Sequence, residues 1–157
     1  MPKVIGKART VVSTPTLKID ELCGNATTSC DTISIASVSA SAGASEPWLT
    51  LLYDEWMCVT KGSMELLTDG PEGGVVVAAG ETVFIGKGER FKPTFPTDCE
   101  YIPVCLPAFT PDRCIREDAE TSEGAAIAAN LAELHSKPPP LPKPEVLYHM
   151  CQRSAWE

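Results

Sequence analysis

Histidine is almost missing from this sequence: His135 and His149 are the two it has among 157 residues. Neutral imidazole is the commonest protein ligand for zinc, iron, nickel and copper, so a metal site built on three histidines is excluded at once. Basic residues are also scarce. Thirteen Lys and Arg stand against twenty-one Asp and Glu, a net charge of −8. A phosphate-binding face needs the opposite balance, so nucleic acid is not an expected partner. No apolar run approaches the ~20 residues of a spanning helix, so no membrane partner is expected either. The opening MPKVIGKARTVVSTP lacks a continuous apolar core and a cleavage-site pattern, and reads without a signal peptide. The seven cysteines show no Cys-x-x-Cys spacing. They read as free thiols of a cytoplasmic protein, with a Cys23–Cys30 disulfide across the intervening loop as the minority reading.

What is there is a chain of short strands. With 43% hydrophobic residues it can bury a core. Residues 1–22 read as an irregular lead-in, with Leu17, Ile19 and Leu22 in one short strand or turn at a sheet edge. Residues 30–42 (CDTISIASVSASA) alternate apolar with Ser and Thr, and the phase slips at Ile35-Ala36 as a bulge in that strand would make it. β-favouring runs then fill residues 48–60, 64–68, 75–79, 81–85 and 91–95, separated by Gly, Pro and Asp turns. Such punctuation predicts an antiparallel double sheet or barrel. Residues 99–106 form a further strand, in which Pro103 points to a sheet edge or strand end. In residues 123–136 Ile127, Leu131 and Leu134 make a narrow apolar stripe, predicting a helix capped by Ser122 that docks on the barrel or a partner. Residues 137–144 (KPPPLPKP) form a polyproline-type linker. Residues 145–157 are either a terminal docking strand or the start of a second domain.

Two segments carry a resemblance. Glu55 is followed by six residues and then Gly62, and Gly80-Glu-Thr-Val-Phe-Ile-Gly86-Lys-Gly88 leads to Phe91. Residues 45–110 thereby resemble the cupins, all-β jelly-roll barrels (double-stranded β-helices). The wording YDEWMCVTKGSMEL followed by AAGETVFIGKG is most similar to their ethanolamine-utilisation branch. The resemblance implies a barrel core over residues 45–118, preceded by first strands within 1–44 and followed by the helix in 119–136. It also implies that Glu55 faces the interior. The His-x-His places of the cupin motif fall on Trp48 and Thr50, or on Leu49 and Leu51 with a shorter spacer, and the third imidazole place on Phe91. None of these supplies a transition-metal ligand, and Glu55 alone cannot hold the ion, so no cofactor is expected.

Strand parity places Tyr53, Glu55 and Met57 on one face and Trp56 with Cys58 on the other. A carboxylate in an apolar interior is costly unless paired, and its pKa tends to rise, which suits a general acid or base. The competing reading is a Glu held by a Tyr hydroxyl or an Arg, Arg90 being the candidate. Glu55 and Tyr53 are the candidate catalytic residues, and Trp48, Thr50, Met57, Phe91, Phe95 and Tyr101 the candidate ligand contacts. Arg113 and Arg116 read as solvated or paired with Glu117 and Asp118. Two functions stand side by side: a metal-free cupin that binds a small polar metabolite, with Glu55 moving a proton, and a non-catalytic dimerising scaffold whose cavity is plugged by aromatics. A homodimer is expected in either case. The resemblance also implies acetate-kinase-like acyl-phosphate chemistry, but Gly86-Lys87-Gly88 reads as a β-turn rather than a phosphate-cradling loop at a helix start. Metal analysis of the purified protein is expected to find no stoichiometric transition metal; about one equivalent per chain would contradict the donor argument.

Overall fold

The computed structural model describes residues 1–136. The readings of residues 137–144 as a linker and 145–157 as a tail, and His149, lie outside the described residues. The strands are β1 (Arg9–Ser13), β2 (Leu17–Cys23), β3 (Ser34–Ala40), β4 (Leu49–Leu51), β5 (Asp54–Lys61), β6 (Ser63–Thr68), β7 (Gly74–Ala78), β8 (Thr82–Ile85), β9 (Arg90–Thr94), β10 (Cys99–Leu106) and β11 (Cys114–Arg116), followed by α1 (Ser122–Ser136).

Period-two burial decides the architecture. In β5, Glu55, Met57 and Val59 are buried between half-exposed neighbours. In β10, Cys99, Tyr101, Pro103 and Cys105 do the same, and in β6 so do Met64 and Leu66. Each strand therefore has one face to bury, and two sheets bury them against each other. One sheet runs β1-β2-β3-β10-β5-β8 and the other β11-β4-β9-β6-β7. Val38, Met57 and Tyr101 of the first meet Leu51, Met64, Leu66 and Phe91 of the second in a single core. Chain neighbours such as β5 and β6 lie in opposite sheets, the interleaving of a jelly roll.

Gly62 sits at one of these crossings, between β5 and β6. It takes φ +68°, and a Cβ there would run into the carbonyl oxygen of Asp98 and lie 2.8 Å from Thr97 Oγ1. No other residue fits that approach. The glycine that closes the Glu55 motif is thus a requirement of the corner.

Four expectations about the strands need correction. The run 48–60 is two strands: the chain leaves one sheet at Leu52-Tyr53 and enters the other, so Leu49–Leu51 and Asp54–Lys61 lie in different sheets. The lead-in is an ordered hairpin, β1 with β2, that widens the first sheet. Its alternation was hidden because Val11 is an extra residue opposite the Asp20–Ile19 step, which lets both Val11 and Val12 be buried. The phase slip near Ile35-Ala36 belongs to the partner strand: Glu21 pairs Ala36 and Cys23 pairs Ile35, leaving Leu22 as the bulge. Pro103 lies in a central strand, between β3 and β5. The β3–β10 register is the same on both sides of it, but the pairs run from Tyr101↔Val38 to Val104↔Ile35 without Ile102 or Pro103, so the missing N–H interrupts no pair with β3.

The helix packs on the hairpin. Leu131, with Ile127 and Leu134 beside it, meets Val11, Val12 and Ala26, and Asn130 Nδ2 donates to Val11 O at 3.0 Å. Its cap is Thr121 rather than Ser122: Thr121 Oγ1 accepts from Gly124 N at 2.9 Å. The six described cysteines are free thiols. Among the described residues no helix is long and apolar enough to cross a membrane.

Candidate functional site

Odd-numbered positions carry one continuous wall through the corner between sheets. Leu49 and Leu51 on β4, Tyr53 at the bend, and Glu55 and Met57 on β5 all line a single cavity of about 110 Å3. Tyr101, Pro103 and Cys105 of β10, Phe91 of β9, and Cys114 with Arg116 of β11 close its sides. Val11, Val12 and Leu131 reach it from the hairpin and the helix. That volume is enough for roughly three or four waters, or a ligand of a handful of heavy atoms.

The polar groups fall into two sets. Glu46, in the loop before β4, is fixed by its backbone N–H donating to Pro93 O at 3.0 Å, and its Oε2 accepts from Arg116 Nη1 at 3.2 Å. Arg116 also grips Asp118, Nε to Oδ1 at 3.2 Å and Nη2 to Oδ2 at 2.9 Å. Burial pushes the Glu46 pKa up and Arg116 pulls it back only in part. The second set surrounds Glu55, which is 5% exposed. Burial, and then the negative charge of Glu46, raise its pKa from 4.5 to about 8, against the lowering effect of hydrogen bonds from Tyr53 and Cys105. Glu55 is therefore mostly a neutral acid at pH 7. Burial holds the Tyr53 and Tyr101 hydroxyls far above their ordinary 10 and pushes the Cys114 thiol up to about 12. Cys105 is raised too, by burial and then by Glu55. These groups are hydrogen-bond donors or inert thiols, not nucleophiles.

Not every candidate residue reaches the cavity. Tyr53, Glu55, Met57, Phe91 and Tyr101 line it. Trp48 does not: it lies outside the barrel under Arg90, whose guanidinium carbon is 4.0 Å from the ring centroid. Thr50 points away between the inward Leu49 and Leu51. Phe95 is buried in the core, stacked on Tyr101 with ring centroids 6.0 Å apart, without lining the cavity. Arg90 is no partner of Glu55; it binds Glu117 and Asp69 at the surface. Arg113 pairs with Asp31 at 2.7 Å. Glu46, Arg116 and Glu21 line the cavity but were not among the candidates. Glu46 and Arg116 meet across seventy residues of chain, a separation that no local pattern encodes.

The donor set does not fit a cupin metal. The two leucines and Phe91 occupy the inward places of the motif, Glu46 is held by Arg116, and the nearby thiols are kept protonated. Among the described residues no three His, Cys, Asp or Glu are grouped to hold an ion. A phosphate cradle is lacking at Gly86-Lys87-Gly88 as well. Its three amides donate to Glu89 Oε2 at 2.8 Å, Asp54 Oδ1 at 2.9 Å and Leu51 O at 2.8 Å.

The raised Glu55 pKa has a consequence for stability. Between about pH 4.5 and 8 the folded protein keeps a proton that the unfolded chain has released, so stability falls as pH climbs through that window. The full cost is on the order of 4 to 5 kcal/mol, comparable to about two fully buried aliphatic side chains. Glu55→Gln keeps the shape and removes the charge. Urea titrations are expected to find wild type and Glu55→Gln alike near pH 5 and the variant several kcal/mol more stable near pH 9; parallel pH curves would contradict this.

Comparison with known proteins follows the same lines. The sequence model of the ethanolamine utilisation protein EutQ matches residues 29–110. Among solved structures the chain is similar to EutQ of Clostridium difficile, with TM-score 0.51 and 24% identity over 59% of this chain and 63% of that one. It is also similar to an RmlC-like cupin of Shewanella frigidimarina, with TM-score 0.54 and 18% identity over 64% and 85% of the two chains. At these identities the structures speak for the cupin fold. A curated relative, Endoribonuclease YbeY of Myxococcus xanthus, is 34% identical over 97 residues, which are 60% of this chain and 32% of the relative; the match spans about a third of that protein. With more than half of the chain matched by the family and a jelly roll of two antiparallel sheets beneath it, this protein belongs to the EutQ family of cupins.

Proposed function

We propose that this cupin binds a small polar metabolite in the barrel cavity without a transition metal, and that Glu55 is the group that gives and takes the proton there. The observation that carries the reading is Glu55 itself: a 5% exposed carboxyl lining a cavity, with a pKa of about 8. A general acid or base works best when its pKa lies near the working pH. The neutral carboxyl can protonate a leaving oxygen or an enolate carbon of a bound substrate, and the resulting carboxylate can take a proton from the next position, as isomerisation or elimination requires. The Tyr53 and Tyr101 hydroxyls, which stay protonated, supply hydrogen bonds to a developing oxyanion. The aromatic and aliphatic walls exclude water and strengthen both effects.

The same geometry gives less support to the rival readings. A scaffold with its cavity plugged by Trp48, Phe91 and Phe95 is not favoured when Trp48 lies outside and Phe95 packs behind Tyr101. Acetate-kinase-like chemistry lacks free amides at the glycine turn. The endoribonuclease activity that names the curated relative is not carried over from a match to a third of it, and a net charge of −8 opposes binding of RNA.

A library of small polar metabolites screened by thermal shift is the direct test. At least one compound is expected to raise the melting temperature of the wild type. Glu55→Gln is expected to weaken that compound's binding about tenfold, the worth of one well-made hydrogen bond to a buried group. Undiminished binding by the variant would contradict the role of Glu55.

A further inference from the structure

Tyr53 stands where the backbone gives it little support. It lies at the bend between β4 and β5, in neither strand. Its ring is nevertheless buried, 3% exposed, on the cavity wall. Its hydroxyl is within reach of two groups, the Glu55 carboxyl and the Cys105 sulfur. Which of them it serves depends on the setting of the side-chain torsions, and packing around the ring decides that setting.

Phe109, in the loop that leaves β10, supplies the packing. Its ring meets the Tyr53 ring edge to face, with centroids 6.4 Å apart and planes at 79°. It meets His135, in the last turn of α1, in the same way at 5.4 Å and 67°. It packs against both the barrel core and the cluster formed by helix and hairpin. Its backbone is tied down as well. Phe109 N donates to Ser34 Oγ at 2.8 Å, and on the preceding residue Ala108 N donates to Asp31 O at 3.0 Å while Ala108 O accepts from Arg113 Nη1 at 2.8 Å. Edge-to-face contact between aromatic rings is directional. A ring anchored this firmly fixes the angle of the ring it touches, which an aliphatic side chain of similar bulk does not.

We propose that Phe109 is a positioning residue: its ring holds the Tyr53 hydroxyl on Glu55 rather than on Cys105, and the last turn of α1 holds Phe109 in turn. This rests on the reading of Glu55 as the proton-transfer group of the cavity. Phe109 acts through Tyr53 and not on the proton itself. A hydrogen bond donated to the carboxylate favours the charged form, so Tyr53 keeps Glu55 more acidic than burial alone would leave it. The other groups that act on Glu55 are Glu46, Tyr101 and Cys105 from β10, and Cys114 from β11. Glu46 is tied to Arg116, and the tyrosine and the thiols stay protonated near neutral pH. None of them is displaced when Phe109 is changed, so a shift at Glu55 reports on Tyr53.

The test is the Glu55 titration, followed by NMR of its side-chain carboxyl in the full chain, for wild type, Phe109→Leu, Tyr53→Phe and the double variant. Tyr53→Phe is expected to raise the midpoint by about one pH unit above the wild-type value, the worth of one hydrogen bond. Phe109→Leu is expected to raise it by a comparable amount, and the double variant no further than Tyr53→Phe alone. A ring that only fills space gives the opposite sign: leucine leaves a gap, water enters, the burial of Glu55 is relieved and its midpoint falls. A lowered or unmoved midpoint in Phe109→Leu, an unmoved one in Tyr53→Phe, or shifts that add in the double variant would each overturn the role of Phe109. Should Phe109→Leu not fold, Phe109→Met is read in the same way. Nuclear Overhauser contacts between the Phe109 and Tyr53 rings are expected in the wild type, and their absence overturns the proposal without any variant. A wild-type midpoint near 4.5 removes the reading of Glu55 itself, whereas a wild-type midpoint near 8 with unmoved variants removes Phe109 alone.

Discussion

The cost of placing a charge at Glu55 is the constraint on which the rest depends. A carboxyl buried between two sheets has either to be neutralised by a partner or to keep its proton. Arg116, the cation on the cavity wall, is already shared by Glu46 and Asp118, so Glu55 keeps the proton. Its neighbours then follow suit. Tyr53, Tyr101, Cys105 and Cys114 are all held in their neutral forms by burial and by the carboxylates around them. The result is a cavity of neutral donors with one ionised cluster at the edge, a medium in which a single proton matters.

The fold delivers this by parity. Because every second residue of a strand faces inward, the odd positions from Leu49 to Val59 keep to the interior even as the chain changes sheet at Leu52-Tyr53. Gly62 then lets the chain turn back against Asp98. In metal-binding cupins this wall carries imidazoles. Here Leu49 or Leu51 and Phe91 stand in their places, and the retained Glu55 is left in an environment that protonates it instead of binding it to an ion.

Much of the barrel was legible in the sequence because alternation and turn residues are local signals. The parity of Tyr53, Glu55 and Met57, the strands from β6 to β10 and the stripe of α1 all follow from them. What was not legible depends on long-range pairing. Val11 and Leu22 are bulges whose extra residues erase the alternation of the hairpin, and a bulge shows only against its partner strand. Pro103 looked like an edge residue because the gap in the β3 pairing that admits it shows only once the two strands are side by side. Trp48 and Thr50 were candidates because the motif spacer allows two phases; the strand picks the phase that buries Leu49 and Leu51. Glu21, Glu46 and Arg116 are charged residues in unremarkable loops and strands until the sheets bring them to one cavity.

The account turns on the protonation state of Glu55, and that can be read directly. A carbon-13 NMR titration of the glutamate side-chain carboxyls, with Glu55→Gln to assign the resonance, follows one group at a time. The expected midpoint for Glu55 is about 8. A midpoint at the ordinary value of 4.5 would mean a carboxylate charged at neutral pH, and the proposed site chemistry would be contradicted.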